Sequence, residues 1–352
     1  MDNVPSLSII HYPLSIKMRF SVIIPVYNRP DELAELLDSL TKQTYTAFEV
    51  IVVEDGSKNR ADIVVQSFQS RLTVQYLFKE NTGQGFARND GFRLATGDYF
   101  VIFDSDAIIP PHYLQTVADH LQTTWLDAYG GPDAAHPDFT PVQKAISYAM
   151  TSPFTTGGIR GSAKNLSGQY HPRSFNMGLS RAAYQKTGGY RISRMGEDIE
   201  FAIRIIENGF TTGLIAGAFI YHKRRTDLGA YFRQLRFFGR ARINIARFHP
   251  RELKLVHWFP ALFTGFVASV PVWYAVSPFL AVLSTGLLML FSAIIFADAL
   301  RKEKSLTVAF LSVGAAFVQL IGYGTGFIGE GWKRLFEPKH HRETGTAIEY
   351  PS

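Results

Sequence analysis

Between Leu255 and Ala297 lie 43 consecutive residues without an Asp, Glu, Lys or Arg. As a single helix, rising about 1.5 Å per residue, that run would be about 65 Å long against a bilayer hydrocarbon core of about 30 Å. It must fold back, and Pro271 and Pro278 are expected to flank the turn. The pattern predicts one span near Trp258–Val276 and a second near Phe279–Ala299, ended by the charged cluster Arg301–Lys304. A third uncharged run, rich in glycine, covers Ser305–Gly329. Runs of this length argue against a hairpin buried in a soluble core. Three crossings would place Lys333, Arg334, Lys339 and Arg342 on the side opposite the N-terminal half, against the positive-inside tendency. One segment is therefore a candidate for re-entry, with the proline-bearing first span the suspect. The expectation is a membrane domain over 255–329 with two or three spans, then a polar tail over 330–352.

The average charge conceals a second feature. Lys and Arg number 36 against 30 Asp and Glu, for a net charge of +6, and mean hydropathy is +0.01. Yet Lys223–Lys254 alone holds ten basic residues against Asp227 and Glu252, a local charge of +8, and the remainder carries −2. Arg233, Arg236, Arg240 and Arg247 fall on one helical face, and Leu228, Phe232, Leu235, Phe238 and Ile245 recur on another. A basic amphipathic helix beside a span reads as an interface region, 223–254, meeting anionic headgroups. No nucleic-acid-binding motif accompanies the charge, so no nucleic-acid partner is expected. The chain has no cysteine, which excludes disulfides, thiolate zinc sites and a cysteine nucleophile.

Residues 1–17 form an expected N-terminal tail. They lack a basic segment followed by a long apolar stretch, and Pro5 and Pro13 interrupt them. Without a signal peptide the first domain should remain in the cytoplasm, and the match Asn165-Leu166-Ser167 to a glycosylation sequon is then fortuitous.

Over 18–222 strand and helix patterns alternate. Phe20–Tyr27, Phe48–Val53, Leu72–Phe78 and Asp98–Phe103 read as buried strands, each followed by a helical pattern; Pro30 opens the first helix, with Asp31 and Glu32 in its first turn. Such alternation implies an α/β fold with a mostly parallel, Rossmann-like sheet covered on both faces, where ligands bind beyond the carboxyl ends of the strands. Pro25, Tyr27 and Asn28 follow strand one, Glu54 and Asp55 strand two, and Asp104-Ser105-Asp106 strand four. Asp104 and Asp106 can aim two hard oxygen donors at one point, which suits Mg²⁺ or Mn²⁺ bridging a diphosphate. Gly83-Gln84-Gly85-Phe86-Ala87-Arg88 starts like a dinucleotide fingerprint, but Arg88 replaces the third glycine and no acidic residue completes it. The glycines instead suit a tight turn into a helix.

Five motifs in order carry a resemblance. Val22–Asn28, Val53–Ser57, Asn81-x-Gly83 with Ala87-Arg88-Asn89, Asp104-Ser105-Asp106 and Gly196-Glu197-Asp198 resemble those of family 2 glycosyltransferases, which have the GT-A nucleotide-sugar-binding fold. The resemblance implies a nucleotide-sugar donor, expected to be a UDP-sugar, and a divalent cation, Mn²⁺ or Mg²⁺. Asp55 would contact the nucleobase in a pocket lined by Pro25, Tyr27 and Asn28. Asp104 would lie near ribose and diphosphate, Arg88 on the donor side, and Asp106 on the metal. Glu54 stands where many members carry Asp.

Glu197-Asp198 opens a predicted helix over Asp198–Asn208, ended by Gly209. Acids in a first turn also suit the helix dipole. A sugar hydroxyl is nevertheless a poor nucleophile and needs a base opposite the leaving diphosphate. In the family the Asp of this pair is the usual base and the anomeric centre inverts, so Asp198 is assigned as base and Glu197 as an acceptor contact or substitute. His222, after the strand-like Phe219–Tyr221, is a third candidate metal ligand or a structural histidine. Thr155–Pro172, with Arg160, is an acceptor-side loop or a plain surface loop, and Asn176 resembles part of the family's acceptor-side strand.

The expected activity is inverting transfer from a nucleotide diphosphate sugar to a hydroxyl of a membrane-associated glycan or lipid-linked acceptor, in cell-envelope polysaccharide synthesis. The enzyme would be integral to a bacterial inner membrane with its catalytic domain cytoplasmic. Alternatives are a polyprenyl-phosphate sugar synthase, a processive polysaccharide synthase, and a non-enzymatic sugar-nucleotide-binding module. Arg233-Gln234-Leu235-Arg236-Phe237 only loosely resembles the Q-x-x-R-W motif of processive synthases, and the intact acids speak against a module without activity.

Overall fold

A computed structural model describes residues 17–134, 139–156, 170–222 and 225–336, with His222 described by its backbone alone. Strands β1 (Phe20–Val26), β2 (Phe48–Asp55), β3 (Val74–Lys79) and β4 (Tyr99–Phe103) alternate with helices α1 (Pro30–Thr41), α2 (Asp62–Phe68) and α3 (Gln84–Leu94). Then come β5 (Ala107–Ile108), α4 (Tyr113–Thr123), β6 (Ala128–Gly130), β7 (Asp133–Ala134), α5 (Pro141–Thr151) and the single turn α6 (Pro153–Thr156). β8 (Asn176–Ser180), α7 (Arg181–Thr187), α8 (Glu197–Glu207), β9 (Thr212–Leu214) and β10 (Ile220–His222) complete the α/β unit. Four helices follow: α9 (Leu228–Phe248), α10 (Phe259–Val276), α11 (Pro278–Glu303) and α12 (Leu306–Phe336).

The main sheet has the order β3-β2-β1-β4-β8-β6-β9. Its first four strands are parallel, and every residue of β1 and β4 is buried, as continuous Val/Ile/Phe runs require when helices cover both faces. β8 runs antiparallel to β4, with Phe103 opposite Asn176. The chain re-enters the sheet at the edge where β4 left it, which forces that direction. A small second sheet, β5-β10-β7, lies beyond this edge and pairs His222 with Ala107, the residue after Asp106.

Three helices are long and apolar enough to cross a membrane: Leu255–Val276, Pro278–Glu303 and Leu306–Phe336. The turn between the first two sits at Ser277, whose hydroxyl caps Leu280 N, with Pro278 at the first position of α11. Pro271, expected at that turn, lies inside α10. α10 and α11 leave large apolar side chains exposed, including Leu262, Val272, Val282, Leu287 and Met289. α12 is packed on several sides, by α9, α5, α10 and α11. Glycines permit that packing: a Cβ at Gly322 would crowd Phe232, one at Gly326 would collide with the Arg236 carbonyl, and one at Gly324 with Pro260 and Thr264.

Candidate active site

The carboxyl edge of the sheet gathers the motifs. After β1 the chain turns through Asn28, held at φ +53°, and the Asn28 carboxamide accepts from Lys58 N (2.8 Å) and Asn59 N (3.0 Å). Its own backbone N–H donates to Ser57 Oγ at 2.8 Å. Asn28 thus ties the loop after β1 to the loop after β2. Tyr27 projects beside it, exposed, and Pro25 is buried within β1. Asp55, at the end of β2, accepts backbone N–H groups from Thr82 (2.9 Å) and Gly83 (2.8 Å) and pairs with Lys79 at 3.1 Å. Gly83 itself has φ +99°, a conformation that turns the chain into α3 and that a side chain would oppose. Asp55 therefore holds the loop that starts α3. Glu54 is fully buried and accepts from Ala61 N and the Tyr76 hydroxyl, anchoring the start of α2.

Arg88 is the centre of the site. It is 1% exposed, on the inner face of α3. Its Nη2 lies 2.8 Å from Asp104 Oδ1 and its Nη1 3.2 Å from Glu197 Oε1, and its guanidinium sits 5.5 Å from the centre of the Tyr190 ring. Gln84 also donates to Glu197 Oε1. One cation thus joins the acids after β4 to the acids that open α8. Burial and then the neighbouring Asp198 push the Glu197 carboxyl above its ordinary value, against the pull of Arg88. Arg88, between two carboxylates, is held protonated.

Asp198 is the more accessible acid of the pair, with a quarter of its side chain exposed. One oxygen accepts from Ile199 N at 2.8 Å, and the other lies 3.7 Å from Arg173 Nη1. The loop before the pair is clamped by α9: Asn244 donates to the Met195 carbonyl at 3.0 Å, and a Cβ at Gly196 would strike Ile245. Behind it, His249 lies 3.8 Å from Glu200 and 3.4 Å from Glu207, both on α8.

Asp106 is nearly buried and receives Arg29 Nη1 at 2.7 Å. Asp104 keeps a third of its side chain open. Two residues apart just after the end of β4, these carboxylates offer hard oxygen donors of the kind that suit a divalent cation, and they are the residues that would hold one. Among the described residues no three His, Asp or Glu side chains converge as a ready ligand set. The backbone of His222 lies beside this turn, and its side chain is outside the described residues, as is Arg160. Asn176 differs from its expected acceptor role: it is fully buried, its amide donates to the Ala218 carbonyl at 2.9 Å, and its oxygen accepts from the Tyr113 hydroxyl. Sequence reasoning missed Arg29, Gln84, Arg173 and Tyr190. Their partners lie elsewhere along the chain; Gln84 stands inside the glycine motif before Arg88, but nothing local names Glu197 as its partner.

A mostly parallel sheet with acids from two strand ends and one helix start meeting at its carboxyl edge defines an α/β domain of the GT-A type. Residues 21–188 match the family model for glycosyl transferase family 2. An uncharacterized glycosyltransferase of Nostoc sp. is 35% identical over 109 residues, which cover 30% of this chain and 34% of that protein. The validoxylamine A glucosyltransferase of Streptomyces hygroscopicus subsp. jinggangensis is 37% identical over 129 residues, 36% of this chain and 28% of that protein. The matches thus span about a third of these relatives' length. Among solved structures, the mannosyltransferase PcManGT of Pyrobaculum calidifontis, in complex with GDP-Man and Mn²⁺, superposes with a TM-score of 0.59 at 20% identity, covering 86% of this chain and 88% of that one. The chain carries a glycosyl transferase family 2 domain.

Proposed function

We propose that the protein is an inverting, cation-dependent glycosyltransferase that moves a sugar from a nucleotide diphosphate sugar to a hydroxyl of a membrane-associated glycan or lipid. The observation that carries this reading is the Arg88 bridge, which ties Asp104 to Glu197 and so brings the diphosphate-side acids and the base-side acids into one site. In this reading Tyr27 offers its exposed ring to the nucleobase, and the loops fixed by Asn28 and Asp55 shape that pocket. Asp104 and Asp106 hold the cation, which supplies charge neutralisation for the leaving diphosphate. Asp198 takes the proton from the acceptor hydroxyl, and Glu197 stays behind it as part of the frame. Orientation contributes to the rate, and the clamp of α9 on Met195–Gly196 favours it. The same clamp links the acid pair to the basic, apolar foot of the molecule and supports a membrane-held acceptor; the proposal takes the catalytic domain to lie on the cytoplasmic side of a bacterial inner membrane.

One observation favours a second reading, a polyprenyl-phosphate sugar synthase. Arg173 stands 3.7 Å from Asp198, where it could meet an acceptor phosphate. Such an acceptor is already ionised and needs no base. The test is to incubate detergent-solubilised protein with Mn²⁺, a panel of labelled nucleotide sugars and a membrane-lipid extract. A labelled glycan or lipid that depends on Asp198 supports the first reading. A labelled lipid phosphate whose formation survives Asp198→Asn but not Arg173→Gln supports the second. Consumption of no donor overturns both.

A further inference from the structure

Three helices meet the length and apolarity of a span, but the contacts of the last one describe a different position. α12 runs alongside α9 in parallel: Tyr231 bonds Gln319, Gly239 packs on Tyr323, and Arg240 pairs with Glu330 at 3.1 Å. α9 carries five arginines, two of them (Arg233 and Arg236) exposed, and such a helix does not cross hydrocarbon. The far end of α12 is also tied to the catalytic domain. Glu330 lies 3.5 Å from Arg247, two residues before His249, which meets Glu200 and Glu207 of α8. The near end is tied there too: Val308 and Ala315 pack with Ala145 and Ile146 of α5, and Tyr148 of α5 bonds Asp298 at 2.7 Å. A helix of 31 residues is about 47 Å long, enough to cross a core of about 30 Å, yet both its ends meet the same domain.

We propose that α12 does not cross the membrane but lies in the interface plane beside α9, with both ends on the catalytic domain's side, and that the α10–α11 hairpin is the whole bilayer-embedded unit. The partner surface of the hairpin is lipid acyl chain: from Leu255 to Ala297 it has no charge, and its large side chains are exposed. The layout removes the conflict with charge bias, since Lys333 and Arg334 then sit on the same side as the arginines of α9. The glycines at 322, 324 and 326 serve a helix wedged between α9 and the hairpin rather than one facing lipid all round.

This inference rests on the membrane association proposed above, and the test separates the two. The natural chain has no cysteine, so single-cysteine variants report position without a background. Ser70→Cys marks the catalytic domain, Arg301→Cys the last turn of α11 just before α12, and Lys333→Cys the far end of α12; all three sites are exposed. Sealed membrane vesicles of one orientation are treated with a membrane-impermeant maleimide. The proposal expects the three variants to be labelled in the same vesicle orientation and protected in the other. Labelling of Arg301→Cys and Lys333→Cys from opposite sides would overturn it. Trp332→Cys, also exposed, repeats the measurement if Lys333→Cys does not accumulate. Release of the whole protein by carbonate wash would overturn the membrane association itself.

Discussion

Arg88 Nη1 lies 3.2 Å from Glu197 Oε1 across 109 residues of sequence, and the same guanidinium holds Asp104 at 2.8 Å. Buried cations need such partners, and removing one member of a buried pair costs about 3–5 kcal/mol because the other charge is stranded. Arg88→Met should therefore lower stability by about that amount, read as a fall in thermal midpoint in detergent. Arg88→Lys keeps the charge but has no fork to reach both acids. It should retain most of the stability and still lose transfer activity by about tenfold or more.

Glu197 gives a pH signature. Burial and Asp198 raise its carboxyl above the ordinary 4.5. A raised carboxyl favours the folded state below its unfolded value, and that contribution is lost as pH climbs through the folded value. Glu197→Gln, neutral throughout, should flatten the stability profile from about pH 4.5 upward. In the activity profile it should shift the acid limb to lower pH, because the ionic link to Arg88 no longer titrates.

His249 has the complementary role at the junction of α8 and α9. The Glu200 carboxylate, opposed by partial burial and aided by Glu207, holds the imidazole above its ordinary 6.5. The stabilisation is complete below 6.5 and disappears as pH rises through the raised value. His249→Gln should remove that decline, leaving a thermal midpoint that changes less between about pH 6 and 8 than the natural protein's.

If Asp106 holds a cation as proposed, Arg29 competes with it for the carboxylate. The pair is 2.7 Å long, with Arg29 about a third exposed, so its net worth is about 1 kcal/mol or less. Arg29→Gln should tighten Mn²⁺ binding by up to about fivefold, and Asp106→Ala should abolish it. Titration followed by the Mn²⁺ paramagnetic signal reads both directly.

The strand-end motifs were legible because β1, β2 and β4 are continuous apolar runs, so whatever follows them must lie on one edge of a parallel sheet. That reasoning placed Asp55, Asp104 and Asp106 at the strand ends, whereas Glu197 and Asp198 were singled out by the family resemblance of Gly196-Glu197-Asp198, the helix pattern alone giving only first-turn acids. What spacing cannot supply is the partner of each charge. Arg88 sits one turn from Phe92 on the buried face of α3, and a buried arginine demands an acid, but nothing local says that there are two or which. Asp55 and Asn176 show the converse: both stand in recognisable motifs, and in the fold their polar groups are bonded to neighbouring loops. The tail was legible as membrane-seeking because hydropathy counts apolar residues. It does not distinguish lipid from the face of another helix, so the number of spans stayed open at two or three, and the close approach of Gly322, Gly324 and Gly326 to neighbouring helices is visible only in the fold.

The central claim is that Asp198 activates the acceptor at a site whose donor pocket is built separately by the strand-end loops. The most direct measurement compares Asp198→Asn with the natural protein for both sugar transfer and nucleoside diphosphate binding. The account predicts that transfer falls by about 10²-fold or more while nucleotide affinity stays within about threefold, since a positioned base contributes 10²–10⁴ in rate and does not touch the nucleotide. Transfer by Asp198→Asn at the rate of the natural protein, with hydroxyl acceptor and donor both saturating, would contradict it.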